Sequence, residues 1–520
     1  LPITRTPRNT SRKAAATAKP RTCPVATAQP MLYVPEAIAA ETLPALLRRW
    51  SKSPRWITDH QDQVAFVLHK ILCLRMADVR LGPEDYSPLH FESLAGFIPR
   101  KYIKEIKELL LQNEVIECDK CYIPGVVSKG YRWHARYRGQ PSRRVPVSKA
   151  TFANRLARGQ QRCQMPLLQD GFLQRVHQDM LAFRMEAAAA RAHNAAATRA
   201  TESFLDAHHA VLSTRSLSGN VYKVLRAAAA DPLVRLPSVK KWKELRAKNP
   251  GRTLYELARR SRREAHEENE QVITVFAAGD FDVPLRRGLG SRVYTNLTNL
   301  SRDLRPFLVH QYFPHERLVN CDIANSQPFF ACLLLREAYQ RKAQAMPANV
   351  QNYIRLTSTG QFYEYMAELV GVDIDPGRNP FGRKNFKVKL FSQVFFCKDW
   401  HTQKSKFGKK FIEHFPDVYR LLQQLKTPNY KNLATTLQRT EAAFMLDCVM
   451  THLQEMGVWC ASIHDSIVCL ECDQDHVINT LLEAFEREYK LSPKIEPELL
   501  RKAESDRVHF QSTTELKQAA

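Results

Sequence analysis

At 520 residues the chain is long enough for two to four domains, each with a core of its own. Its 77 Lys and Arg against 53 Asp and Glu give a formal net charge of +24, an excess that favours a polyanionic partner, nucleic acid foremost. A membrane surface is the weaker candidate: no run nears the roughly 18 apolar residues of a spanning helix, no signal-peptide core stands near the start, and the basic charge is spread along the chain.

Twelve cysteines at irregular intervals, several inside apolar runs (Cys73, Cys332, Cys448, Cys460), predict a reduced, intracellular and cytoplasmic protein, not a disulfide framework. Two C-x-x-C pairs, Cys118/Cys121 and Cys469/Cys472, fit hairpins more readily than one shared zinc site.

Residues 1–35, rich in Arg, Lys, Ala, Thr and Pro, predict a disordered basic arm. From 36 to 75 apolar positions recur at helical spacing, as in QVAFVLHKILCLR. Two further helices, SPLHFESLAGFIP and RKYIKEIKELLLQNEV, precede two short extended runs and the basic, aromatic tail SKGYRWHARYR. The region 36–140 thus looks like a winged helix-turn-helix module, with a helix for a groove and a wing for phosphate; a small helical domain with a solvated hairpin is the alternative. Residues 141–290 read as a basic helical connector whose Ala-rich run, MEAAAARAHNAAATRA, forms helix well but has too few large apolar residues for a core.

Three later segments carry chemistry. In RLVNCDIANSQPFFACLLL, Leu318, Val319 and Ile323 flank Asp322 in a buried strand, and Asn325 or Ser326 is placed to cap a helix with Pro328 in its first turn. A carboxylate at the end of a buried strand is costly without a cation or partner beside it. In GVWCASIHDSIVCLE, two short strands (about 458–463 and 467–470) flank the turn His464-Asp465-Ser466, which holds a second carboxylate at a strand junction. Two such aspartates on adjacent strands can hold a pair of divalent ions, as in-line phosphoryl transfer requires. In RKNFKVKLFSQVF, Arg383, Lys387, Phe391 and Phe395 fall at intervals of four and form one helical stripe. Two cations at one end suit a triphosphate, and two aromatic faces beyond suit a base pair.

In this order the three segments resemble the polymerase motifs of family A DNA polymerases. The first motif of that family has a strand, an Asp and a glutamate five residues on, where this chain has Asp322 and Gln327. The second reads Arg-x3-Lys-x3-Phe-x3-Tyr, matched by Arg383, Lys387 and Phe391, with Phe395 in the Tyr place. The third is a His-Asp turn, matched by His464 and Asp465, with Ser466 where Glu is usual. Collinear lesser matches are SRVYTNLTNLSRDLRPFL, which contains Arg292, FIEHFPDVYRLLQQLK, and TLQRTEAAFMLDCVM, which contains Gln438. The resemblance covers about 290–490.

The resemblance implies an α+β multidomain fold: a polymerase palm of antiparallel sheet and helices with compact helical fingers over 291–500, preceded by a mostly helical region with the winged-helix-like module and a thumb-like connector, and followed by a tail at 501–520. It implies a DNA-directed DNA polymerase acting on DNA primer-template and deoxynucleoside triphosphates; no segment offers the acidic cluster of a proofreading exonuclease, so none is expected, and a compact polymerase joined to a DNA-binding module suits a virus or mobile element. Asp322, Asp465 and the carbonyl of Ile323 are implied to bind two Mg2+ ions, with Mn2+ as a substitute. Arg383 and Lys387 are implied to grip the triphosphate, Lys387 also protonating the leaving group. Phe391 and Gln327 would shape the sugar pocket, Phe395 would sit by the templating base, and Arg292, Gln438 and His464 would touch the primer-template. An RNA-synthesising polymerase or primase of the same fold, and a non-catalytic DNA-binding replication initiator or regulator, are the alternative functions.

Overall fold

The computed structural model describes residues 30–77, 81, 85–119, 128–138, 142–168, 170–281, 284–287, 290–375 and 382–500. The N-terminal unit comprises β1 (Met31–Pro35), α1 (Pro54–Ala77), β2 (Ser87–Pro88), α2 (Phe91–Ala95), α3 (Arg100–Gln112), β3 (Ile116–Cys118), β4 (Gly130–Trp133) and β5 (Ser142–Pro146). Residues 31–35, expected to close a disordered arm, instead form β1: its apolar Leu32, Tyr33 and Val34 are buried, and it pairs antiparallel with β5. Residues 1–29 lie outside the described residues. Ile103, Ile106, Leu109 and Leu110 recur at helical spacing and bury one face of α3, which leaves Arg100, Lys101 and Lys104 exposed. Strands β2, β4 and β3 form a small sheet in that order.

The basic, aromatic tail is mostly turned in. Tyr131, Trp133 and Tyr137 join the core, and Arg132 and Arg138 reach Glu117 at 2.7 and 3.5 Å. Burying those rings removes a large apolar area from water, which outweighs exposing them for stacking. The β3–β4 connection, including Cys121, falls largely outside the described residues.

Next come β6 (Phe183–Met185), α4 (Ala187–Ala207) and α5 (Leu254–Ala278). Helices α4 and α5 run antiparallel, because the small buried residues Ala190, Ala197 and Thr201 allow close approach. Their seam holds a buried polar pair, Arg262 donating to Asn194 at 2.9 Å. Thr253 and Glu256 form a capping box at the start of α5, and Gly279 at φ +70° ends it. The connector does build a core at its far end, from Leu205, Leu212, Val221, Trp242 and Leu257, because flanking helices supply the large side chains α4 lacks.

The C-terminal region holds β7 (Leu285–Arg287), β8 (Arg292–Tyr294), β9 (Leu308–His310), β10 (Leu318–Ile323), α6 (Ser326–Arg341), α7 (Gly382–Leu390), α8 (Lys431–Ala442), β11 (Cys460–Ile463), β12 (Ser466–Leu470), α9 (Gln474–Tyr489) and β13 (Ile495–Leu499). A four-stranded antiparallel sheet in the order β11-β12-β10-β13 lies at its centre. Alternation along β10 sends Val319, Cys321 and Ile323 into the large core shared with α6, α9 and the helices over 348–426. Leu318 faces the other way, into the smaller core that contains β6, β9 and part of α5. With both faces covered, only the strand ends are left to carry polar chemistry.

Candidate active site

Along one face of β10 the residues pass from apolar to acidic: Leu318, Asn320, Asp322. Their register partners on β12 are Leu470, Val468 and Ser466. Ser466 is buried and donates to the Asn320 side-chain Oδ1 at 2.7 Å, so it acts as a strut within the sheet. Asp465 therefore stands one residue beyond the partner of Asp322, at the same end of the sheet. The turn before it is tight, with His464 at φ +60°. Asn325, at φ +56°, starts α6 three residues after Asp322. Left-handed backbone at non-glycine residues is uncommon, and here it brackets both carboxylates.

Burial raises the Asp322 carboxyl to about 7, and Asp465 adds to the rise, while Lys387 and Arg302 oppose it. Glu496, the register partner of Asp322 on β13, raises it further. Glu496 was missed in the sequence because IEPEL reads as a polar edge strand; its carboxylate is exposed and pairs with Lys494 at 2.8 Å.

Arg383 and Lys387 project from α7 over the ring of buried Tyr363, at 5.7 and 4.7 Å from its centroid. Arg383 also pairs with Glu364. Burial lowers the Lys387 ammonium and Arg383 lowers it further; Asp322, Glu496 and Asp465 pull it back up. Tyr363 is thus a second residue missed in the sequence, where FYEYM reads as ordinary helix core.

The four-residue stripe does not run its whole predicted length. After Leu390 the helix widens into a π turn, Phe391–Phe395, which rotates the residues beyond it off the α-helical register. Phe391 stays half-buried, 6.5 Å from Tyr363. Phe395 is fully buried, 5.4 Å from Phe391 and 5.9 Å from Phe411. The expected place of Phe395 at a templating base is corrected: it is a core residue.

Behind the carboxylates, Arg292 of β8 meets Glu441 of α8 at 2.5 Å, and the Gln327 amide donates to the other carboxylate oxygen of Glu441 at 2.5 Å. Glu441 is 1% exposed; burial raises it to about 7 against the pull of Arg292. Gln438, one turn earlier on α8, lies against Gly290, where a Cβ would come within 2.8 Å of it. His464 stands 6.0 Å from Tyr294, and burial, reinforced by Arg292, lowers its imidazole. The structure thus brings Asp322, Asp465, Lys387, Gln327, Arg292 and His464 into one neighbourhood, with Gln438 at its edge. Glu441 is the third residue missed.

Several buried polar atoms here have no hydrogen-bond partner among the described residues: both amide atoms of Asn325, Ser326 Oγ, Gln327 Oε1, His464 Nδ1 and Arg292 Nε. Buried polar atoms are nearly always paired, so six unpaired ones in one neighbourhood are out of the ordinary.

Among the described residues, no three or more His, Cys, Asp or Glu side chains are arranged to cage a metal. The pair Asp322 and Asp465 nevertheless fits Mg2+, which takes one or two carboxylates and fills its remaining positions with water and substrate phosphate oxygens. Burial is the main cause of the raised Asp322 carboxyl and the Asp465 charge adds to it; a cation beside the pair would oppose both. Ile323, expected to lend a carbonyl, lies in register with Ile495, its side chain in the core. No helix of the described residues is long and apolar enough to cross a membrane.

No protein-family model matches the chain, and no curated protein does. Among solved structures it is similar to the POL domain of Pol1 from M. smegmatis in complex with DNA primer-template and dNTP, at 14% identity over 67% of this chain and 73% of that one, with a TM-score of 0.43. A likeness at that level carries no function across.

Proposed function

We propose that the chain is a template-directed nucleotidyltransferase, a DNA-directed DNA polymerase of the family A type without proofreading exonuclease, serving replication of viral or mobile-element DNA. The observation that carries this reading is the meeting of two strand-end carboxylates with a cationic helix: Lys387 acts on Asp322, and both aspartates act on Lys387. The orphaned polar atoms around the pair support it.

In this reading the region 291–500 is palm and fingers, α4 and α5 form the thumb-like part, and the N-terminal unit is a winged helix. Helices α2 and α3 followed by the β3–β4 hairpin, with three exposed cations on α3, support the last assignment. Asp322, Asp465 and the Ile323 carbonyl would hold two Mg2+ ions, with Mn2+ able to replace them. Bound there, such ions make a primer 3′-hydroxyl easier to deprotonate and offset triphosphate charge. Arg383 and Lys387, both over the Tyr363 ring, grip the triphosphate. The 3′-hydroxyl gives its proton to water, its oxygen bonds to the α-phosphorus as the bond to the bridging oxygen breaks, and Lys387 gives a proton to the departing pyrophosphate. Phe391 and Gln327 bound the sugar, and Arg292, Gln438 and His464 face primer-template.

Primer extension on a defined DNA template, with dNTPs and rNTPs compared, tests the reading. Asp322→Ala and Asp465→Ala are expected to abolish synthesis while DNA binding survives. Extension retained in either variant removes the carboxylate assignment, and tight DNA binding without extension by the unaltered protein favours the non-catalytic alternative.

A further inference from the structure

Helix α5 runs back from the core that its Ile273 and Phe276 share with β11 and β12 to a start at Leu254, about 30 Å away. Three segments meet at that start. The Leu254 N–H donates to the Thr214 carbonyl at 2.8 Å, which ties down the loop carrying Arg215. Wholly buried Trp242 seats the helix Val239–Lys248, which carries Lys243 and Arg246, in the core that holds Leu254 and Leu257. The turn after that helix is closed by the Arg252 N–H on the Asn249 carbonyl at 3.2 Å. Between the three lies a pocket of about 320 Å³ whose lining includes Arg215, Lys243, Arg246, Asn249, Pro250 and Arg252, with no acidic and no aromatic residue.

Four cations around one pocket repel one another. Among the described residues none of the four makes an ion pair. Thr253 holds the Glu256 carboxyl below its ordinary value through its amide and hydroxyl, and Arg252 and Arg215 lower it further. That carboxylate is committed to capping α5. The helix C-terminus accounts for only Arg246 of the four, as a cation in the last turn. A nucleic-acid strand spreads its charge, one phosphate per ~3.4 Å of duplex axis, and is met by a stripe of cations. Here the cations surround a space at the small end of ligand pockets, which run from roughly 300 to 1,000 Å³. Guanidinium forks suit phosphate oxygens, and no ring is offered to a base.

We propose that this pocket binds a compact polyphosphate, either free pyrophosphate or the triphosphate group of a free nucleotide, at a site separate from Arg383 and Lys387. The site goes beyond the polymerase reading and does not depend on it.

The test is calorimetric titration of the full chain with tripolyphosphate, at low salt and without divalent ions, in a Lys387→Gln background that weakens the other triphosphate contact. Tripolyphosphate is expected to bind at least tenfold more tightly than orthophosphate, and dATP about as tightly as tripolyphosphate, since the base is not met. Arg215→Gln combined with Arg252→Gln should weaken tripolyphosphate by about a hundredfold. Both side chains are exposed, so circular dichroism should not change. Pyrophosphate as the tighter natural ligand names a released product as the source, and dATP as the tighter one names a free nucleotide; either supports the site. An oligodeoxynucleotide without a terminal phosphate should bind the double variant nearly as it binds the parent. A fall in its binding that matches the fall for tripolyphosphate would make the pocket a backbone site and overturn the assignment. Equal tripolyphosphate affinity in the double variant overturns it too, as does orthophosphate bound as tightly as tripolyphosphate. None of these outcomes touches the polymerase reading, which primer extension decides.

Discussion

Asp322, next to last in its strand, shares a sheet end with Asp465, and the second carboxylate adds to burial in holding the first up to about 7. Two like charges at one sheet end are a stability cost kept for function. Asp322→Asn removes a charge and keeps the shape, so at pH 8 it should raise stability by about 1 kcal/mol. Extension should fall by a factor of about a thousand or more, because the carboxylate that would hold the cation is gone. Urea unfolding and primer extension on the same preparations decide the matter. A variant both less stable and still active would show Asp322 to be a structural strut.

Arg292 and Glu441 make a different kind of pair, opposite charges with the acid almost wholly buried. Removing one partner strands the other. Arg292→Met should therefore cost about 3 kcal/mol of unfolding free energy, and the double variant Arg292→Met, Glu441→Leu should recover much of that loss. Chemical denaturation of the two singles and the double gives the coupling directly. Additive losses would mean that the pair is not coupled in solution.

The strand-Asp-helix of 318–341 and the His-Asp hairpin were legible because their signals are local: a short apolar strand, a turn, and a helix with Pro328 in its first turn. The cations of α7 were legible for the same reason. Phe395 was not, since spacing by four runs on unbroken through FSQVF while the backbone takes a π turn. Packing of Phe395 against Phe396 and Phe411 accompanies that turn, and Phe411 belongs to another helix. Glu441 was hidden in the same way. In TLQRTEAAF it is one acid on a helix, and its partners lie 149 and 114 residues upstream. Likewise β1 was read as arm because its strand partner, β5, follows it by more than a hundred residues.

The two phenylalanines on either side of the π turn should separate stability from activity. Phe395→Ala empties a fully buried ring site and should cost about 3–5 kcal/mol. Phe391 is only half-buried, so Phe391→Ala should cost less and should instead raise the KM for the incoming nucleotide. Thermal melts and steady-state extension kinetics provide the two readouts. An equal stability loss from both would mean that Phe391 is as much core as Phe395.

Asp179, away from the carboxylate pair, sets a pH dependence of its own. It precedes Met180, the last residue of the helix Gly171–Met180, and burial raises its carboxyl from 3.8 to about 7. Gln454 donates to it at 2.9 Å and Arg175 favours its charged form, but neither offsets the burial. A raised acid binds its proton more tightly folded than unfolded. Between about pH 4 and 7 the folded state therefore carries the extra proton, and stability falls as pH rises, by up to about 1.4 kcal/mol per pH unit. Below about 4 both states are protonated and the cost disappears; above about 7 it is complete and the slope from this group vanishes. Asp179→Asn keeps an acceptor for Gln454 and leaves the backbone carbonyl that receives the Trp459 indole N–H. The variant should match the unaltered protein near pH 4 and exceed it by a few kcal/mol at pH 8, the gap opening across the interval between. Other raised carboxyls, Glu441 among them, titrate in both proteins and cancel in the difference. Two unfolding curves that stay parallel from pH 4 to 8 would mean that Asp179 is solvated in the native state.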